Sequence, residues 1–564
     1  MNSLKKTTIL AFIALIAIVG CKGKSKENME QKLSDFIKRH DSLTVSLSKE
    51  ASLAYWDAAI TGKDEAYAKA EALMVKITGV YADSSSFAIL KMIKESNEVN
   101  DEMLKRQLIV LYNSYLSAQV DTSKLNAVIK LQTTIEKKFS NFRTEVKGKK
   151  LSDNDVEGIL KTSMNSNELK EVWLAQKTIG SLVNEDIIKI VKMRNEIAKE
   201  LGFENYHTMS LQLSEQNPEE IENIFNELDS LTKDAFASLK DEMNESFAKK
   251  YKIAKTDLMP WHHQNRFFQE APKLYTVDLD KYYAKQNIEK LTSDYFKGIE
   301  LPIEDMLKNS NLYEQPGKNQ HAFCTDIDNE GDVRVLCNIK PNQQWMGTML
   351  HEYGHAVYDK FMDRTLPFCL REPSHTFTTE AIAMFFGRLS SNPEWLKTMV
   401  GISEEEKAEI ADDCIKTLRL EQLVFSRWAQ VMYRFEKAMY ANPDQDLNKL
   451  WWDLVEKYQL MKKPSDRNAP DWATKIHIAT FPCYYHNYLL GEMLASQFSY
   501  YVTEKVLKQT DLRVQNFVGN PEIGKYFTEY VFKPGKKLYW NDMIEKATGE
   551  KLTAKYYAKQ FIND

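Results

Sequence analysis

Residues 343–355, QQWMGTMLHEYGH, decide how the rest of this 564-residue chain is read. His351 and His355 stand four apart, with Glu352 directly after the first. On an α-helix that spacing puts both imidazoles on one face, within reach of a single divalent ion, and directs the Glu352 carboxylate toward metal-bound water. The preceding residues fit a buried helix, since Trp345, Met346, Met349 and Leu350 are apolar and only Gly347 weakens the run. A helix with two surface histidines would show the same spacing, so a third ligand has to be found. A catalytic zinc takes three protein ligands and keeps a fourth position for water. Glu380 lies 25 residues after His355, in the apolar run Thr378-Thr379-Glu380-Ala381-Ile382-Ala383-Met384-Phe385-Phe386. A lone carboxylate in such a helix is costly to bury unless it is paired or bound to metal. Glu372 competes for the role, but it sits in the proline-broken Arg371-Glu372-Pro373 and reads as a cap or a solvated group. The expectation is one zinc per chain on His351, His355 and Glu380.

The surroundings of the motif are helical in both directions. The chain has 20 glycines and 15 prolines, about half the roughly 12% of average usage, which favours helices. From about residue 30 to Pro218, apolar residues recur at three- and four-residue spacing, as in Ile188, Ile190, Val191, Ile197 and Leu201. Pro218-Glu219-Glu220 opens a further helix after Asn217. One β element is expected, a hairpin between about His321 and Ile339, turning at Asn329-Glu330-Gly331-Asp332. Cys324 and Cys337 flank that turn, either as a disulfide or as two packed thiols. With 43% hydrophobic and 27% charged residues the chain is a soluble globular body. Its net charge of −5 gives no electrostatic support to a nucleic-acid partner.

Lys5 and Lys6 precede an apolar run, residues 7–20, of signal-peptide length. It ends Ile18-Val19-Gly20-Cys21, which resembles the lipobox of bacterial lipoproteins. The expectation is a signal peptide over residues 1–20, lipidation at Cys21, a polar tether over 21–30 and a metallopeptidase domain over 31–564. The mature protein would then be lipid-anchored to the membrane and extracytoplasmic, in the bacterial cell envelope.

The order of motifs is similar to that of the angiotensin-converting-enzyme family of peptidyl-dipeptidases. HEYGH, then Leu370-Arg371-Glu372, then Glu380-Ala381-Ile382 resembles that family's HEMGH, LREG and HEAI. Lys475-Ile476-His477-Ile478 resembles its KFHIP, Tyr485-His486-Asn487-Tyr488 its YIRY, and His321-Ala322 the head of its HASA strand. The resemblance implies a mainly α, gluzincin-type body with a deep central cleft and the small hairpin. It implies that Glu352 is the general base, that His477 and Tyr488 hydrogen-bond the tetrahedral oxyanion or the nearby substrate backbone, and that Lys475 and Tyr485 hold the terminal carboxylate, with His321 and Ala322 along the substrate. Peptides are the implied substrates and C-terminal dipeptides the products. Three departures stand out. One extra residue separates His477 from the tyrosines, so Tyr484 competes with Tyr485. Asn487 replaces the arginine linked to chloride activation, which leaves chloride dependence unsupported. Met384 replaces the aspartate one turn after the third ligand, so a carboxylate orienting a zinc-bound histidine must come from elsewhere. Trp261-His262-His263-Gln264 loosely resembles the family's WAQ, whose glutamine helps hold the substrate terminus. A thimet-type endo-oligopeptidase would share the zinc site without needing a free C-terminus, and a non-catalytic peptide-binding lipoprotein would not need Glu352.

Overall fold

The computed structural model describes residues 28–562 apart from 276, 513 and 514. The leader, Cys21 and most of the expected tether lie outside the described residues. Helices dominate, and the three longest described are Met29–Thr61, Pro218–Tyr251 and Glu404–Ala441. Each begins at a cap written in the sequence. Asn28 Oδ1 accepts from the backbone N–H of Glu30 and Gln31, Asn217 caps the helix opened by Pro218, and Ser403 with Glu406 closes a capping box. Helix Pro218–Tyr251 buries Ile221, Phe225, Leu228, Phe236, Met243 and Phe247, a stripe at helical spacing that turns it toward the core. No described helix is long and apolar enough to cross a membrane.

Two hairpins are present where the sequence led to one. The expected hairpin pairs strand Phe323–Asp326 with strand Val333–Leu336, antiparallel. The additional one pairs Thr144–Val146 with Lys149–Leu151 through a turn in which Lys147 and Gly148 both have positive φ. Its strands, TEV and KKL, are too short and too charged to show an alternating pattern. In the first hairpin Cys324 faces Val335 and Cys337 falls beyond the paired strand, so the two cysteines are not opposite one another and both are free thiols.

One continuous apolar core extends from Val128 to Phe561. The N-terminal helices have smaller cores of their own. Leu33, Phe36 and Ile37 pack with Leu90, Ile93, Leu108, Leu111 and Tyr115. Farther along the first helix, Trp56 and Ala59 cover Ile327 and Leu336 of the hairpin, and Lys49 pairs with Asp328 at 3.1 Å. The N-terminal helices therefore bear on the hairpin that adjoins the motif helix.

Candidate metal centre and substrate cleft

The motif helix is Gln343–Lys360, opened by Asn342, whose Oδ1 accepts from Trp345 N–H at 2.9 Å. It packs on the third-ligand helix, Thr376–Gly387, which packs in turn on the tyrosine helix, His486–Tyr501. The first contact is close enough to require glycine. A Cβ built on Gly354 would stand 2.8 Å from the Cα of Ala383. Without a side chain there, the two backbones approach until Glu380 meets the histidines.

His351 Nε2 and His355 Nε2 each lie 3.6 Å from a different oxygen of Glu380, and the three ligand atoms fall within 4.8 Å of one another. Donors about 2 Å from a tetrahedral centre are about 3.3 Å apart, so the set fits a zinc-sized ion. Burial holds the imidazoles neutral, His351 near 4 and His355 near 3, while burial and the charge of Glu492 raise Glu380 to about 7. Two neutral imidazoles and a carboxylate starved of solvent form a donor set suited to a cation. His355 Nδ1 is bonded to the Thr379 hydroxyl at 2.8 Å. A hydroxyl from the residue before the third ligand thus orients this histidine, a partner that the motif comparison did not single out. Glu372 is engaged elsewhere, in an ion pair with Lys536 at 2.6 Å.

Glu352 is buried beside this triad. Burial first, then the charge of Glu380, raises its carboxyl to about 8, against a hydrogen bond from the backbone N–H of Cys324. The free edge of strand Phe323–Asp326 thus looks at the glutamate. The contribution of the hairpin comes from the backbone of Cys324, a role that no side-chain motif encodes. His321, by contrast, is exposed, and its N–H is tied to Asn319 Oδ1 at 2.9 Å. Ala322 is half-buried against the core. Among the described residues, no hydrogen bond or ion pair joins either of them to the triad.

A second group centres on Lys475, which is 6% exposed. Its Nζ donates to Gln269 Oε1 at 2.6 Å and lies over the rings of Phe267, Trp428 and Tyr485 at 5.3–5.4 Å. Burial and nearby Arg266 lower its ammonium to about 8. The glutamine at this lysine is Gln269, not Gln264. Gln264 Oε1 accepts from Lys273 N–H at 3.2 Å, while Asn265 Oδ1 turns the chain by accepting from the N–H groups of Phe267 and Gln269. His262 and His263 are likewise buried and occupied, by Ser166 and Lys240.

His477 stands against Tyr485, ring centroids 5.4 Å apart, and its Nδ1 is buried without a protein partner. Burial, with Lys475 nearby, lowers this imidazole to about 4, so it is neutral. Tyr485 and Tyr484 both lie 5.4 Å from the Tyr488 ring. The lysine distinguishes them, because Lys475 covers the Tyr485 ring while Tyr484 and Tyr488 both feel the charge of Glu380. The extra residue between His477 and the tyrosines is accommodated in a loop that turns at Cys483, where φ is 57° and the N–H is held by Glu436 at 2.9 Å. Asn487 is buried in a neutral network, accepting from Gln216 at 2.8 Å, and Gln216 also bonds His486 at 2.7 Å.

The chain is 22% identical to angiotensin-converting enzyme of Mesocricetus auratus over 433 residues, which is 70% of this chain and 32% of that protein. The Rattus norvegicus enzyme matches at 22% over 427 residues, with the same coverage. Carboxypeptidase 1 of Bacillus subtilis (strain 168) is 26% identical over 265 residues, 43% of this chain and 52% of that protein. This chain thus spans about a third of the length of the curated angiotensin-converting enzymes it matches. The sequence pattern of the family described as angiotensin-converting enzyme matches residues 27–561, nearly the whole chain. The chain therefore belongs to the angiotensin-converting-enzyme family of metallopeptidases.

Proposed function

We infer that this chain is a zinc peptidase of the bacterial cell envelope that removes dipeptides from free C-termini. The reading rests on one observation above the others. Lys475, buried and steadied by Gln269, is linked through the rings of Tyr485 and Tyr488 to the neighbourhood of Glu380. A buried cation at a fixed remove from a metal site is suited to a substrate carboxylate, and anchoring that charge two residues past the scissile bond sets the length of the product. His351, His355 and Glu380 would hold a zinc ion, and the chemistry it would supply there is Lewis acidity toward a water and the scissile carbonyl. Glu352 would accept the proton of the attacking water and return it to the leaving amine. Tyr488 and neutral His477 are the donors available to the tetrahedral oxygen and the neighbouring substrate backbone. Beyond the Cys324 N–H, which is engaged by Glu352, the free edge of strand Phe323–Asp326 offers main-chain pairing to an extended peptide. The leader ending at Cys21 supports a lipid-anchored, extracytoplasmic location. In cells given a labelled fatty acid, the full-length protein should take up the label and Cys21→Ala should not; label retained by the variant would overturn that location.

Paired peptides with free and amidated C-termini, followed by mass spectrometry, test the activity. Free acids should lose dipeptides in sequence. Losing the charge-assisted contact to Lys475 is worth about 1.5–3 kcal/mol, so amides should be roughly ten- to a hundredfold poorer substrates, and Lys475→Ala should erase most of that difference. Internal cleavage of amides as fast as acids would replace this reading with the thimet-type one.

A further inference from the structure

Thr378, Thr379 and Glu380 follow one another on the third-ligand helix, and their side chains take three different partners. A threonine inside a helix usually turns its hydroxyl onto a carbonyl of the preceding turn. Thr378 does this, donating to the His375 carbonyl at 2.7 Å, and its N–H reaches the same oxygen at 3.0 Å. That oxygen also lies four residues before Thr379, so the ordinary acceptor for the Thr379 hydroxyl already receives two bonds. The Thr379 hydroxyl meets His355 Nδ1 instead, at 2.8 Å, and Glu380 turns to the metal triad.

His355 is therefore approached at both ring nitrogens by consecutive residues of one helix. Thr379 is at Nδ1, and a Glu380 oxygen is 3.6 Å from Nε2. Side chains of consecutive helical residues point about 100° apart, so an imidazole fits between two of them only when its own helix comes very near. Gly354, the residue before His355, makes that approach possible, because there is no room for a Cβ against Ala383. His351 has no such hold. Among the described residues no side chain hydrogen-bonds it, and its Cβ lies 3.4 Å from where a Cβ added to Gly387 would stand.

We propose that Thr379 is a positioning residue of the metal site: together with Glu380 it clamps the His355 ring, and its hydroxyl selects the tautomer that leaves Nε2 for the metal. The inference rests on the zinc reading above. An imidazole that binds a metal through Nε2 carries its proton on Nδ1, so its partner at Nδ1 has to be an acceptor. Thr379 Oγ1 has the lone pairs to accept there, and it takes the place that a carboxylate or a backbone carbonyl fills behind other histidine ligands. Without it the ring would be free to turn about its Cβ–Cγ bond and to present Nδ1, or neither nitrogen, to the ion.

Two substitutions separate this role from simple packing. Thr379→Val keeps the shape of the side chain and removes the hydroxyl, whereas Thr379→Ser keeps the hydroxyl and removes the methyl. Zinc affinity is measured by competition with a chelating dye on metal-free full-length protein, with circular dichroism to show that each variant is folded. Thr379→Val should bind zinc roughly ten- to a hundredfold more weakly than wild type, the usual cost of losing such a partner, and Thr379→Ser within a few-fold of it. Wild-type affinity in Thr379→Val, or a loss in Thr379→Ser as large as in Thr379→Val, would overturn the proposal and leave the zinc reading intact. Should Thr379→Val fail to fold, a crystal structure of the zinc-loaded wild type decides the matter. His355 Nε2 on the ion with Nδ1 on Thr379 is the expected arrangement, and Nδ1 on the ion would overturn it. A wild type that binds no zinc would refute the zinc reading and the clamp with it.

Discussion

Glu352 and Lys475 carry the sharpest expectations at the scale of single residues. Glu352→Gln keeps the shape of the side chain and its contact with Cys324 N–H but cannot accept a proton. Hydrolysis should fall by about 10²–10⁴ with bound zinc unchanged by elemental analysis. Appreciable turnover in the zinc-loaded variant would remove Glu352 as the base. Lys475 titrates near 8, so the ammonium that would grip a carboxylate is the majority form below that value and disappears above it. KM for free-acid peptides should rise between about pH 7 and pH 9 while KM for amides stays flat; parallel pH profiles would disconnect Lys475 from the substrate terminus. The triad could be picked out from the sequence because a carboxylate isolated in an apolar helix and a four-residue histidine spacing are local patterns. Gln269 and Thr379 could not. Gln269 reaches Lys475 across 206 residues of chain, and Thr379 earns its role only because its helix is pressed against the motif helix.

At the scale of elements, the closeness of two helices holds the site together. Gly354→Ala would place a methyl 2.8 Å from the Ala383 Cα, so the motif and third-ligand helices must part. Overpacking of this kind costs about 1–3 kcal/mol, and zinc affinity should fall with it, since Glu380 moves away from both histidines. A urea titration and a zinc titration of the same variant would check both effects. The long helix Glu404–Ala441 makes a different tie, through buried Glu436, which holds the loop at Cys483. Burial raises this carboxyl from 4.5 to about 8, against the charge of Arg194. The folded chain therefore binds the proton more tightly than the unfolded one. The stability this contributes is complete below about pH 4.5 and is lost as pH rises through about 8. Glu436→Gln should flatten the decline of the melting temperature across that window, and an unchanged slope would show that Glu436 is not its source. The helix start at Asn217 and Pro218 was legible because its cap and first-turn proline are local signals, as are the caps that the structure shows at Asn28 and Ser403. The hairpin register was not, since a cysteine on either side of a turn looks alike whether it faces Val335 or another cysteine.

The whole molecule divides its apolar packing unevenly. The N-terminal helices depend on small cores of their own and on contacts such as Lys49 with Asp328, whereas the catalytic helices share the continuous core. Segments with few buried contacts open more readily. Amide hydrogen exchange should therefore be faster across residues 29–117 than across 343–387, and equal protection would mean that the two parts unfold as one. Helical content was evident from composition, but the bearing of these helices on the hairpin was hidden, because it joins residues 279 positions apart that no local pattern connects. The five cysteines among the described residues, Cys324, Cys337, Cys369, Cys414 and Cys483, are all unbridged. A reductant therefore has no crosslink to cut in the described fold, whereas a chelator would remove a metal whose ligands only the folded chain brings together. Dithiothreitol should leave the melting temperature where it was, and EDTA should lower it.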